Sequence, residues 1–151
     1  MGRNTTFIDG IMDELSAVMP DDMEALKLRL GLTTTDMCQI LGIHYTSYQR
    51  KFIHLTTPLN NTDKLFILFS NIHMVRPMDY LAIRRSERSY WLAWRDMGAF
   101  IPEDVLPSYT IEISNQFIDI EFYRKGVEDI TAARLKQEMG KVTNGIQSSH
   151  N

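Results

Sequence analysis

Residues 24–54 read EALKLRLGLTTTDMCQILGIHYTSYQRKFIH, from Glu24 to His54. Two glycines and one polar tetrad punctuate this stretch. Gly31 ends a helix that Asp21 or Asp22 is placed to cap, with Met23, Leu26 and Leu30 on its inner side. Thr33-Thr34-Thr35-Asp36 reads as a capping box with Asp in place of Glu, starting a second helix that stops at Gly42. A third helix follows almost at once, from His44 or Tyr45 to about Ile53. Two short helices can cross closely only under three conditions. The first must offer a small residue at the approach, the turn must accept positive φ, and the second must return an apolar side chain. Cys38, Gly42 and Tyr48 occupy those places, with Met37, Ile40, Leu41 and Ile43 filling the core between them. Cys38 therefore reads as a small buried residue rather than a reactive thiol.

On the N-terminal side, Phe7, Ile8, Ile11, Met12, Leu15, Val18 and Met19 recur at helical spacing, which predicts an amphipathic helix before Pro20. On the C-terminal side, residues 55–61 have loop composition, and Asn61 or Thr62 is expected to cap a helix carrying Leu65, Leu68, Phe69 and Ile72. Pro77 suits the first turn of another helix over residues 78–99, which the polar run Arg84 to Ser89 is expected to split. Tyr90, Trp91 and Trp94 read as core aromatics rather than a stacking platform. Beyond Pro107 the period changes. Tyr109, Ile111 and Ile113 alternate with polar residues, as do Ile118, Ile120 and Phe122, and a turn at Asn115-Gln116 would place all six on one face of a β-hairpin. Its other face would set Glu112 opposite Asp119. A final helix is expected from Val127 to Met139, with a frayed tail from Gly140.

With 151 residues, 44% hydrophobic and 23% charged, the chain has the size and composition of one folded domain with an appendage. No apolar run is long enough to span a bilayer, and acidic Asp9, Asp13 and Glu14 interrupt any secretory leader, so a cytoplasmic protein without membrane contact is expected. The single cysteine and four histidines show no metal-ligand spacing, and no catalytic order of nucleophile, base and acid is visible. The expectation is a non-enzyme without cofactor. The net charge of −3 conceals a basic middle. Residues 41–100 carry eight Lys/Arg against four Asp/Glu, whereas the segments on either side are acidic.

The quoted stretch resembles the helix-turn-helix of the lambda-repressor/Cro-like (XRE) family of DNA-binding proteins. Leu26 to Leu32 looks like that family's first helix and its Leu-Gly-Leu-Thr passage into the second, and Pro58 with Leu65 and Leu68 looks like its loop and fourth helix. The resemblance covers residues 21–74. It departs at Lys51, where a bulky apolar residue is usual, and at His54, near which a glycine is often found. With Phe52 packing instead, Lys51 would snorkel outward. The resemblance implies a recognition helix whose exposed side presents Tyr45, Thr46, Ser47, Gln49 and Arg50 to the major groove. Thr34, at the head of the preceding helix, and Lys51 would hold phosphates.

The expected architecture is mainly α, a lambda-repressor-like helix-turn-helix bundle with a C-terminal β-hairpin and helix. Its parts would be an N-terminal amphipathic helix (1–20), a DNA-binding unit (21–76), a helical and hairpin assembly region (77–140) and a disordered tail (141–151). The implied function is a sequence-specific transcriptional regulator that reads double-stranded DNA as a homodimer, with the hairpin and terminal helix as the assembly surface. The competing reading is a protein-interaction module on a helix-turn-helix scaffold, antitoxin-like or an adaptor, that binds a protein partner through its acidic C-terminal half.

Overall fold

A computed structural model describes residues 14–74, 80–99, 101–102, 105 and 118–149. A helical turn at residues 14–17 leads into α1 (Asp21–Leu30), α2 (Thr34–Leu41) and α3 (Tyr45–Tyr48). α3 continues as a π-helical turn, Gln49–Ile53. α4 (Asn61–His73), α5 (Tyr80–Asp96) and α6 (Ile120–Ser149) complete the order.

The turn chemistry of the first half follows the sequence closely. Gly31 and Gly42 terminate α1 and α2 at φ 68° and 67°, a conformation that costs a residue with a Cβ about 1 to 2 kcal/mol. The capping box at α2 is complete: Asp36 N donates to Thr33 Oγ1 at 3.1 Å, and Thr33 N donates to Asp36 Oδ2 at 2.9 Å. A second box stands one residue earlier than expected, at α4, where Asn60 is the cap and Asp63 its partner. Neither Asp21 nor Asp22 caps α1. Asp22 instead accepts the backbone N–H of Met19, which locks the Pro20 corner.

α4 is buried on two sides because it lies between two apolar clusters. Phe66 and Ile67 join Met23, Leu26, Leu30, Met37, Ile40, Tyr48 and Phe52 in the first cluster. Leu65 and Phe69 join Leu15, Tyr90, Trp91 and Ile130 in the second. α5 spans both, contributing Ile83 to one and Tyr90 and Trp91 to the other, and Trp91 Nε1 donates to the Leu65 carbonyl at 3.1 Å. The polar run does not split α5. Ser86, Glu87 and Ser89 are buried within one continuous helix, where Ser86 and Ser89 bind the start of α6 and Glu87 lies 3.8 Å from the Arg84 guanidinium.

The expected β-hairpin is overturned. No strand occurs among the described residues, and the segment assigned to its second arm is the first turn of α6. The cause is Asp119. Its Oδ1 accepts the Phe122 N–H at 3.2 Å as a helix N-cap, its Oδ2 accepts from Ser86 Oγ at 2.8 Å, and its backbone N–H donates to Ser89 Oγ at 2.9 Å. With the chain helical, the alternating residues separate. Phe122 packs against Phe69 and His73, while Ile118 and Ile120 are exposed. The like-charged strand face also dissolves, since Asp119 is a cap and Glu121 pairs with Lys125 one turn on at 3.3 Å. The first arm, Tyr109 to Ile113, the Asn115-Gln116 turn and Pro77 lie outside the described residues, as does most of the N-terminal helix.

α6 starts seven residues before the expected Val127 and is helical through Ser149. Its 30 residues correspond to about 45 Å. α6 lies close against α5 at Gly126, where a Cβ would lie 2.7 Å from that of Ala93 and inside van der Waals contact of the Tyr90 carbonyl oxygen. One turn further, Asp129 Oδ2 accepts from Tyr90 Oη at 2.7 Å and lies 2.9 Å from His73 Nε2. The His73 ring is enclosed by Phe69, Tyr90 and Phe122. Burial first, then the Asp129 carboxylate, pushes the Tyr90 hydroxyl well above its ordinary range.

Candidate nucleic-acid interface

The helix pair α2 and α3 forms because three locally determined features coincide: a capped start at Thr33, a left-handed stop at Gly42, and two aromatic rings that turn α3 back onto α1 and α2. Those rings are Tyr48 and Phe52, both buried, with centroids 4.7 Å apart. Tyr48 keeps its hydroxyl satisfied by donating to Glu24 Oε2 at 2.5 Å. Burial, reinforced by that carboxylate, raises the Tyr48 hydroxyl far above its usual value. Glu24 also pairs with Lys27 at 2.9 Å, and Lys27 Nζ donates to Thr34 Oγ1 at 3.0 Å. A continuous polar chain thus runs Thr34, Lys27, Glu24, Tyr48 and fixes the head of α2 relative to α3. The Glu24-Lys27 spacing was legible in the sequence; the long-range Tyr48 and Thr34 contacts had no local signal.

The opposite side of α3 faces outward. Tyr45 is 53% exposed, Thr46 and Arg50 are exposed, and Ser47 and Gln49 are half-buried. Among the described residues the Arg50 guanidinium makes no hydrogen bond or ion pair, which leaves its fork of donors open. Beside Tyr45, a surface depression of about 390 Å³ between α2 and α3 is lined by Thr35, Cys38, Gln39 and His44. Cys38 is half-buried at its edge, and burial raises its thiol pKa, in keeping with a packing role.

Lys51 is not on this face. It turns inward and pairs with Asp63 Oδ2 at 3.0 Å, with both side chains largely covered. The expected outward course of the Lys51 side chain is corrected on that geometry. The π turn is what allows it: the wider coil, closed by His54 N donating to the Gln49 carbonyl at 2.7 Å, turns Phe52 into the core and Lys51 toward α4. The missing glycine has a consequence too. Leu55, 62% exposed, takes φ 59° in its stead, and the N–H groups of Thr56 and Thr57 close onto the Arg50 carbonyl. Thr34 stands at the first position of α2, half-buried, its hydroxyl accepting from Lys27, while Asp36 holds a carboxylate two positions further on. Of the seven expected contact residues, Tyr45, Thr46, Ser47, Gln49 and Arg50 lie along α3 and its π turn, Thr34 stands at the head of α2 against Lys27, and Lys51 is turned toward α4.

Among the described residues no group of His, Cys, Asp and Glu side chains is arranged to hold a metal ion, and no helix is long and apolar enough to cross a membrane. Comparison with models of known protein families, with characterised proteins and with solved structures found no match.

Proposed function

We propose that this protein is a sequence-specific DNA-binding regulator, cytoplasmic and homodimeric, that inserts α3 into the major groove of a palindromic site. The observation that carries this reading is the division of α3 into two sides. Tyr48 and Phe52 anchor it inward while Tyr45, Thr46, Gln49 and Arg50 form a contiguous polar outer side, whose guanidinium makes no ion pair among the described residues. Arg50 can donate two hydrogen bonds to guanine and Gln49 can exchange a pair with adenine, each good bidentate contact contributing about 1 to 3 kcal/mol of discrimination. Thr34, at the N-terminus of α2, offers a backbone N–H and a hydroxyl to a phosphate. A single such unit reads few base pairs, so a two-fold pair spanning half-sites about 34 to 36 Å apart supplies the rest.

A second reading, a protein-interaction module of antitoxin or adaptor type, is favoured by one observation: the pairing of Lys51 with Asp63 removes a cation from the reading face. Within the acidic C-terminal half assigned to that reading, however, Asp119 is occupied as a helix cap and Glu121 pairs with Lys125. A pull-down of genomic fragments with purified protein at low salt separates the two. Enrichment of a palindromic duplex supports the regulator, whereas no enrichment over random DNA supports the interaction module.

A further inference from the structure

We propose that the groove where α4, α5 and α6 meet binds an amphipathic organic cation, an ammonium group carried on an apolar body. The groove has a volume of about 370 Å³, within the usual span for small-molecule sites. Its lining is partly aromatic: Trp94, and the edge of Trp91 that the core leaves 3% exposed, with centroids 5.4 Å apart. The space above them exists because α6 presents Ala132 and Ala133 on that side.

The polar groups decide the ligand's charge. Asp129 lines the groove with 37% of its side chain exposed, and its orientation is set in advance: Oδ2 is held by Tyr90 Oη and His73 Nε2. Its Oδ1 makes no hydrogen bond among the described residues and is available to a ligand donor. Glu14 adds a second carboxylate at the rim, with no ion pair among the described residues. Against these two carboxylates, Lys136 is the one lysine or arginine among the described residues that line the groove. Two tryptophans and a fixed carboxylate lining one groove suit an ammonium, which gains from both the ring quadrupole and the charge. A neutral analogue gains only burial. This inference stands independently of the DNA-binding reading.

Trp91 and Trp94 are the chain's two tryptophans, so intrinsic fluorescence reports on this groove. The test titrates the full-length protein with cyclohexylmethylammonium and, separately, with the neutral cyclohexylmethanol. The expected result is a saturable spectral change with the ammonium and an at least tenfold weaker response to the alcohol. Glu14→Gln, an exposed change that leaves the core intact, weakens ammonium binding severalfold, Asp129→Asn weakens it by at least tenfold, and Lys136→Gln tightens it. No saturable change, an equal response to the two compounds, or a Glu14→Gln protein that binds like the parent overturns the proposal; this last comparison holds even if Asp129→Asn fails to fold.

Discussion

Between α1 and α3 the chain stops and restarts a helix within a few residues, first at Gly31 and Thr33 and again at Gly42 and His44, and each stop is written into the residue that makes it. Between α5 and α6 the intervening chain runs from Asp96 to Ile120, and the two helices find each other through contacts remote in sequence. Asp119 meets Ser86 and Ser89, Gly126 meets Tyr90 and Ala93, and Asp129 meets Tyr90 and His73. The lesson is that local capping marks where the first helices stop and restart, whereas the second half is defined by a few long-range contacts, each correspondingly sensitive to change.

The sharpest way to break this contrast is at the α5–α6 crossing. Gly126→Ala places a methyl against the Tyr90 carbonyl and Ala93, and forcing the helices apart is expected to cost about 2 to 3 kcal/mol, read as a lowered urea midpoint. In the first half, the corresponding test is Asp63→Ala. It removes the α4 capping box and strands a largely covered Lys51, with an expected loss of about 2 kcal/mol by the same measurement.

Both halves share one pH response. Tyr48 and Tyr90 hold their protons in the folded state well above the ordinary tyrosine value of about 10, because each is buried and donates to a carboxylate. A raised folded-state pKa means that the stability it provides is complete below pH 10 and is lost as the pH rises, since only the unfolded chain ionises there. Above that point each tyrosine is expected to remove about 1.4 kcal/mol per pH unit, and Tyr48→Phe or Tyr90→Phe to flatten the slope in urea titrations at pH 9 to 11.

The smallest effect belongs to Leu55. Replacing it by Gly relieves a left-handed conformation at an exposed side chain and is expected to stabilise the protein by about 0.5 kcal/mol, after the entropic cost of glycine is subtracted.

The first half was legible because its signals are local. Thr33 with Asp36, Gly31 and Gly42 act within four residues of the position they control, and the buried set Met23, Leu26, Leu30, Met37, Ile40 and Tyr48 follows from helical period. The hairpin was misread for the opposite reason. Ile118, Ile120 and Phe122 alternate as a strand would, and the deciding contacts of Asp119 come from Ser86 and Ser89, about thirty positions away. A local clue was present in Asp119 as a cap ahead of the Glu121-Lys125 pair. On the candidate site, the outward course of Tyr45, Thr46 and Arg50 agrees with what the helix-turn-helix resemblance implies. The inward turn of Lys51 was not legible, because it needs both the π turn and a carboxylate on α4.

The central claim is that the outer side of α3 reads DNA. Its most direct test is the binding of an enriched genomic duplex by the parent protein and by Arg50→Ala, each at two salt concentrations and against a scrambled duplex. The expected result is binding that weakens as salt rises and a preference over the scrambled duplex that falls by about tenfold or more with Arg50→Ala, as the loss of one bidentate base contact requires. Equal binding of the two duplexes by the parent protein, or an unchanged preference in Arg50→Ala, would contradict it.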